Sequence, residues 1–251
     1  MRKIKRYGWI PDLPDGRDNI FLAPQVTHLP TSVDLRPKCP PIYDQGQLGS
    51  CTGNACEALF RFENNKQTAQ DFTGSRLFVY YNGRSEEGTE GTDSGAMIRD
   101  VIKAIRADGI CGENLWPYDI SKFAQRAPQV CYNQALQHQS VNYHRIRSRL
   151  FDMKSCLAKG NPFVFGFSVY ESFEAADVAR TGIVPLPKTN EQLLGGHAVM
   201  AVGYDDTTQQ FVVRNSWGTG WGIAGYFLFP YAYISNQDLA DDFWTITKVE
   251  A

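Results

Sequence analysis

The chain has 251 residues, 43% of them hydrophobic and 21% charged, enough apolar material for one globular unit with a sizeable core. Its formal net charge is −2, so there is no electrostatic basis for binding nucleic acid or an anionic membrane surface. No stretch reads as a bilayer span, and six cysteines are too few for a disulfide-dense scaffold.

The chain opens on a basic run, Met1-Arg2-Lys3-Ile4-Lys5-Arg6, with no apolar core behind it, because Tyr7-Gly8-Trp9-Ile10-Pro11 breaks the pattern at once. That is not a secretory signal, so a cytoplasmic location is the default expectation, with export by another route left open. Prolines at positions 11, 14, 24 and 30 make residues 1–30 extended rather than helical. Tyr7, Trp9, Ile10, Phe21 and Leu22 give this segment apolar anchors. A tethered, proline-stiffened segment loses little entropy on docking. The expectation is that it packs on the body of the protein, part of it near a cleft as a lid; the alternatives are a strap along the back, or disorder.

A polar, glycine-punctuated loop follows, Asp44-Gln45-Gly46-Gln47-Leu48-Gly49-Ser50-Cys51. From there Thr52, Ala55, Cys56, Leu59 and Phe60 recur at helical spacing, predicting a helix to about Asn64 or Asn65. Cys51 falls in its first turn, where orphan N–H groups and the helix dipole favour a thiolate. A second helix is expected around Leu77, Phe78 and Tyr81 behind a Ser75 cap. A third lies over Ile98, Val101, Ile102 and Ile105, stopped by Gly109. The acidic loop 85–93 lacks the spacing of a calcium hand, and His138 and His144 have no partners at metal-ligand spacing, so no metal site is expected. Residues 119–148 read as polar and irregular. Strands follow over 163–169, 198–204, 211–215 and 225–229. Helices first and strands second predict an α+β fold. The glycines of 218–222 precede a strand rather than a helix, which excludes a nucleotide-binding loop.

Two segments in the strand-rich half complete a catalytic set. His197 lies in Gly195-Gly196-His197-Ala198, and Asn215 in Asn215-Ser216-Trp217-Gly218-Thr219-Gly220-Trp221-Gly222. Taken singly, each reads more simply as a core or turn residue. Their order and spacing argue otherwise: Cys51 to His197 is 146 positions and Asn215 follows 18 later. With Gln45 six positions before the cysteine, the chain resembles the papain family of cysteine peptidases from about residue 29 onward, in particular bacterial members without a large prodomain.

The resemblance implies a two-lobed fold, a helical part over about 31–148 and a β-barrel-like part over about 149–251, with a cleft between them. Residues 31–251 would be the peptidase domain and 1–30 an N-terminal extended segment with a regulatory role. It implies a cysteine endopeptidase acting on peptide or protein substrates without a cofactor. Cys51 would be the nucleophile, His197 the proton shuttle, Asn215 the orienter and Gln45 an oxyanion donor. Trp217 would shield the Asn–His bond. Gly95 and Ala96 would offer backbone to the peptide, and Met97, Gly166, Ala198 and Asp241 would line the second subsite, Asp242 being one slip away. The family's Cys-Gly-Ser-Cys-Trp reads Leu48-Gly49-Ser50-Cys51-Thr52 here, which breaks the usual disulfide framework. Besides Cys51 five cysteines remain, a number that cannot pair completely within the chain. Acyl transfer to an amine by the same residues, or a silent peptide-binding module, are the alternatives.

Overall fold

The computed structural model describes residues 7–23 and 28–250. Residues 1–6 and 24–27 of the N-terminal segment lie outside them, as does Ala251. In chain order the elements are β1 (Trp9–Ile10), β2 (Ser32–Asp34), α1 (Cys51–Thr68), α2 (Arg76–Glu86), β3 (Ala96–Met97), α3 (Ile98–Ala107), α4 (Gln129–Ala135), β4 (Ser140–Arg145) and α5 (Leu150–Ala158). They continue with β5 (Phe163–Tyr170), α6 (Ala176–Thr181), β6 (Leu193–Asp205), β7 (Gln210–Arg214), β8 (Tyr226–Pro230), α7 (Tyr231–Ile234) and β9 (Ala240–Val249).

The sequence predicts an amphipathic α1, but the helix is buried on every face from Cys51 to Asn64. It runs between α2 and α3 on one side and the sheet on the other. Its polar side chains therefore need partners. Glu57 accepts from the Gly74 N–H at 2.8 Å, and Arg61 pairs with Asp71 and donates to the Tyr43 hydroxyl. The helix runs to Thr68, three or four residues beyond the expected stop at Asn64 or Asn65, and Ala69 caps it in a left-handed conformation. Ser75 caps α2, its hydroxyl accepting from the Phe78 N–H at 3.1 Å.

The strands form one seven-stranded sheet in the order β4-β9-β5-β6-β7-β8, with β2 paired antiparallel to β6. The barrel expected from the family resemblance is not closed: β4 and β8 are opposite edges and do not pair. Along β5, Phe163, Phe165 and Phe167 share one face by the two-residue period. They meet Phe211, Phe229 and Phe243 at ring separations of 5.0–6.2 Å. The opposite face carries Val164 and Gly166 and looks toward the helices. The 119–148 region, read as irregular, contains α4 and β4, and β4 joins the sheet beside β9. No helix among the described residues is long and apolar enough to cross a membrane. No group of three or more potential metal ligands is present among them.

Candidate active site

Cys51 is the first residue of α1, behind Ser50. Ser50 is locked from two sides: its hydroxyl contacts the Tyr118 hydroxyl at 2.5 Å, and Asn54 donates to its Oγ and carbonyl oxygen, both at 3.0 Å. The Tyr118 hydroxyl also donates to the Gln45 carbonyl at 3.0 Å. The Gln45 amide is fully buried. Its Nε2 donates to Leu48 O at 2.9 Å and its Oε1 accepts from the Ser216 hydroxyl at 2.6 Å. The loop before Cys51 is thus tied to the strand-rich half.

His197 projects from β6, and its Nε2 lies 2.9 Å from Asn215 Oδ1. Nδ1 makes no hydrogen bond. The next residue, Ala198, donates its N–H to Cys51 Sγ at 3.4 Å. Trp217 stacks on the imidazole at 4.9 Å and 28°, which keeps water from the His197–Asn215 bond. The fold therefore brings Cys51, His197, Asn215 and Trp217 together from α1, β6 and the turn after β7.

Burial decides the protonation of this pair. It pushes the Cys51 thiol up to about 11, against backbone N–H groups of Ala198, Gly8 and Thr52 that favour the thiolate. Burial likewise holds His197 down to about 4, against its bond to Asn215. The helix terminus acts in the expected direction, but desolvation outweighs it. Both shifts favour the neutral thiol and the neutral imidazole.

The N-terminal residues supply that burial. Tyr7 lies edge-on to His197 at 6.1 Å and bonds through its hydroxyl to the Glu174 carboxylate. Gly8 O accepts from the Ala96 N–H at 2.8 Å, and β1 pairs parallel with β3, Trp9 with Ala96 and Ile10 with Met97. Gly8 sits so close to the loop before Cys51 that a Cβ there would stand 1.6 Å from Gly49 O. Gly95 holds φ +83° where it passes Gly8, a conformation costly for other residues. The Trp9 indole covers Gly166 and Gly196, where any Cβ would clash with the ring. Its Nε1 donates to Asp242 Oδ2 at 3.0 Å.

A charged clamp holds the segment behind Trp9. Asp242 Oδ2 also accepts from the Asp12 N–H at 2.8 Å. The Asp12 carboxylate accepts from the Arg99 N–H at 3.1 Å and from Trp244 Nε1 at 2.8 Å. Asp18 meets Arg99 at 2.8 Å and Arg145 at 3.3 Å. Phe21, buried, closes the run, its N–H donating to Arg145 O at 2.8 Å. Burial, Asp12 and Asp241 push Asp242 up to about 7 despite Arg145, and burial raises Asp12 as well.

Of the residues expected to line the cleft, Gly95, Ala96, Met97 and Gly166 meet the N-terminal segment, and Ala198 adjoins Cys51. Asp241 does not reach this pocket: its carboxylate is 46% exposed and faces Arg145 at 3.2 Å. Asp242 is the carboxylate there. The cause is a bulge. The β5–β9 register shifts between the Val164–Trp244 and Gly166–Asp241 pairs, and Asp242 has φ 57°. One extra residue reverses which side chain faces inward. Spacing alone could not find Asp12, Tyr118 or the clamp. The Tyr7-Gly8-Trp9 grouping, an aromatic on each side of the tightest contact, was the available signal.

Comparison with known proteins identifies the family. Residues 29–242 match the family model described as papain family cysteine protease. The chain is similar to the crystal structure of xylellain, a cysteine protease from Xylella fastidiosa, at 43% identity and a TM-score of 0.91, over 99% of this chain and 98% of that one. It is 41% identical to an uncharacterized peptidase C1-like protein of Acanthamoeba polyphaga mimivirus, over 98% of this chain and 88% of that protein. A Carica candamarcensis cysteine protease, solved in complex with E-64, matches at 27% identity and a TM-score of 0.62, over 80% of this chain and 89% of that one. The chain belongs to the papain family of cysteine proteases.

Proposed function

We propose that this protein is a cysteine endopeptidase working through Cys51, His197 and Asn215, that residues 31–251 are its peptidase domain, and that the N-terminal segment is an intramolecular strap over the site. The observation that carries the reading is the His197–Asn215 contact at 2.9 Å with the neighbouring Ala198 N–H on Cys51 Sγ. Asn215 Oδ1 accepts from Nε2–H, the tautomer that network favours, so Nδ1 is left to take the thiol proton. The thiolate attacks the scissile carbonyl carbon, and the carbonyl electron pair moves to oxygen. Cys51 N–H and the second Gln45 Nε2–H are the donors suited to that oxyanion. Imidazolium then protonates the leaving amine. His197 next takes a proton from water as the water attacks the thioester, which frees the acid and restores Cys51. No cofactor enters these steps.

The direct test is labelling with an epoxysuccinyl inhibitor of the kind bound by the Carica relative, mapped by mass spectrometry. The expected adduct is on Cys51. A fully reacted protein with an unlabelled Cys51 overturns the assignment.

The strap also marks a specificity pocket. When Trp9 leaves, the space over Gly166 and Gly196, with Asp242 at its end, becomes the second subsite. Apolar side chains fit it, and a basic one meets the carboxylate. At pH 8, above the raised Asp242 value, Asp242→Ala should lower the Arg/Leu ratio of kcat/KM about tenfold, the worth of one charged hydrogen bond. Asp241→Ala should leave it unchanged. A ratio that moves with Asp241 and not with Asp242 refutes this pocket.

A further inference from the structure

The loop between α2 and β3 carries a carboxylate with two donors from separate elements. Asp93 accepts from the Gly49 N–H through both oxygens, each at 3.1 Å. It also accepts from the Tyr80 hydroxyl at 2.7 Å. That hydroxyl in turn accepts from the Gly95 N–H at 3.1 Å. Tyr80 is fully buried, and burial together with Asp93 keeps its hydroxyl protonated, so it remains a donor. The residue before Asp93 is fixed as well. The buried Arg84 guanidinium donates to Thr92 O at 2.5 Å and to Glu90 O at 2.8 Å.

Two rims of the cleft are joined by this carboxylate. One is the turn 48–51, which ends at Cys51 and whose Gly49 carbonyl forms the wall pressed by Gly8. The other is β3, whose Ala96 N–H holds the strap and would be freed for a substrate backbone when the strap leaves. Gly49 precedes the helix cap, so its N–H has no helical partner, and Asp93 satisfies it. All six cysteines are free, so no disulfide braces the turn.

We infer that Asp93 is a positioning residue for the reaction: through Gly49 N–H it holds the 48–51 turn so that the Cys51 N–H meets the oxyanion, and through Tyr80 it sets the distance from that turn to β3. This rests on the proposed oxyanion role of Cys51 N–H. A charged acceptor suits the task because its hydrogen bonds are stronger and shared across two oxygens. The carboxylate touches no reacting atom, and its effect passes entirely through backbone geometry.

The test uses the full chain, with and without Gly8→Ala, and rates per titrated Cys51 so that only folded sites count. Asp93→Ala should lower kcat about 10- to 100-fold, the loss of a charged hydrogen bond at the turn. KM should rise much less. Asp93→Asn should recover part of kcat, since its Oδ1 still accepts one N–H. Alkylation of Cys51 by iodoacetamide, which needs the thiolate and no oxyanion, should slow less than kcat. Binding of a peptide aldehyde, which places an oxyanion in the site, should weaken in step with kcat. An unchanged kcat per titrated site in Asp93→Ala, or alkylation and kcat falling together in both variants, overturns the inference. Activity persisting in Cys51→Ala would instead overturn the catalytic reading beneath it.

Discussion

Cys51→Ala should lower peptide cleavage about 10⁴-fold or more, because members of a catalytic set act as a unit and removing one removes the covalent route. His197→Ala should cost about as much. The double variant should be little worse than either alone, since the proton shuttle has nothing to serve once the nucleophile is gone. Asn215→Ala should cost less: it frees the imidazole to rotate while leaving thiol and base in place. Cys56→Ala, five residues on in α1 and fully buried, should retain the rate. Steady-state cleavage of a fluorogenic peptide measures all five. Wild-type rates in Cys51→Ala would end the proposal that this thiol is the nucleophile.

Gly8→Ala should switch the enzyme on. A methyl group at position 8 would stand 1.6 Å from Gly49 O, and backbone on both sides leaves it nowhere to go. Misfits of this kind cost about 1–3 kcal/mol, which shifts the open-to-covered ratio about 5- to 150-fold. Cleavage of a small peptide should rise by that factor until the site is fully open. The strap should also respond to pH. Asp242 stands at about 7 and Asp12 above its ordinary range while covered. Both relax toward ordinary carboxylate values near 4 once the strap leaves. Covering is therefore linked to proton uptake: its stabilisation is complete below pH ~4 and is lost as pH rises through about 7. The Cys51–His197 pair does not alter this sign, because thiol plus imidazole and thiolate plus imidazolium carry the same number of protons. The ratio of wild-type to Gly8→Ala activity should climb from pH 5 to pH 8. If Gly8→Ala cleaves at the wild-type rate but melts earlier, the segment is a structural strap and nothing more.

The first three helices and the central strands were legible because each has a local cause, whereas α4 to α7 were not expected. Ser75 caps α2, the Ile98–Ile105 stripe makes α3, and the apolar run of β5 makes a strand buried on both faces. β4 and β9 were missed because polar residues interrupt their patterns: Asn142 and His144 in one, Asp241 and Asp242 in the other. Pairing with each other and with β5 makes them strands, and pairing is nonlocal. At the site, the order of Cys51, His197 and Asn215 was visible, since chain order survives folding. Which aspartate enters the pocket was not, because a bulge leaves no mark in residue spacing. The charged clamp was invisible for a similar reason: Asp12 and Trp244 are 232 positions apart.

None of the six cysteines is cross-linked, and burial keeps the thiols of Cys39, Cys56, Cys111 and Cys156 protonated. Millimolar dithiothreitol or glutathione therefore finds no covalent brace to break. The same reductant that returns an oxidised Cys51 to its working state leaves the scaffold as it was. Peroxide, conversely, would meet Cys51, the first residue of α1, once the strap is away. Oxidation would then register as a reversible loss of activity at unchanged melting temperature, rather than as unfolding.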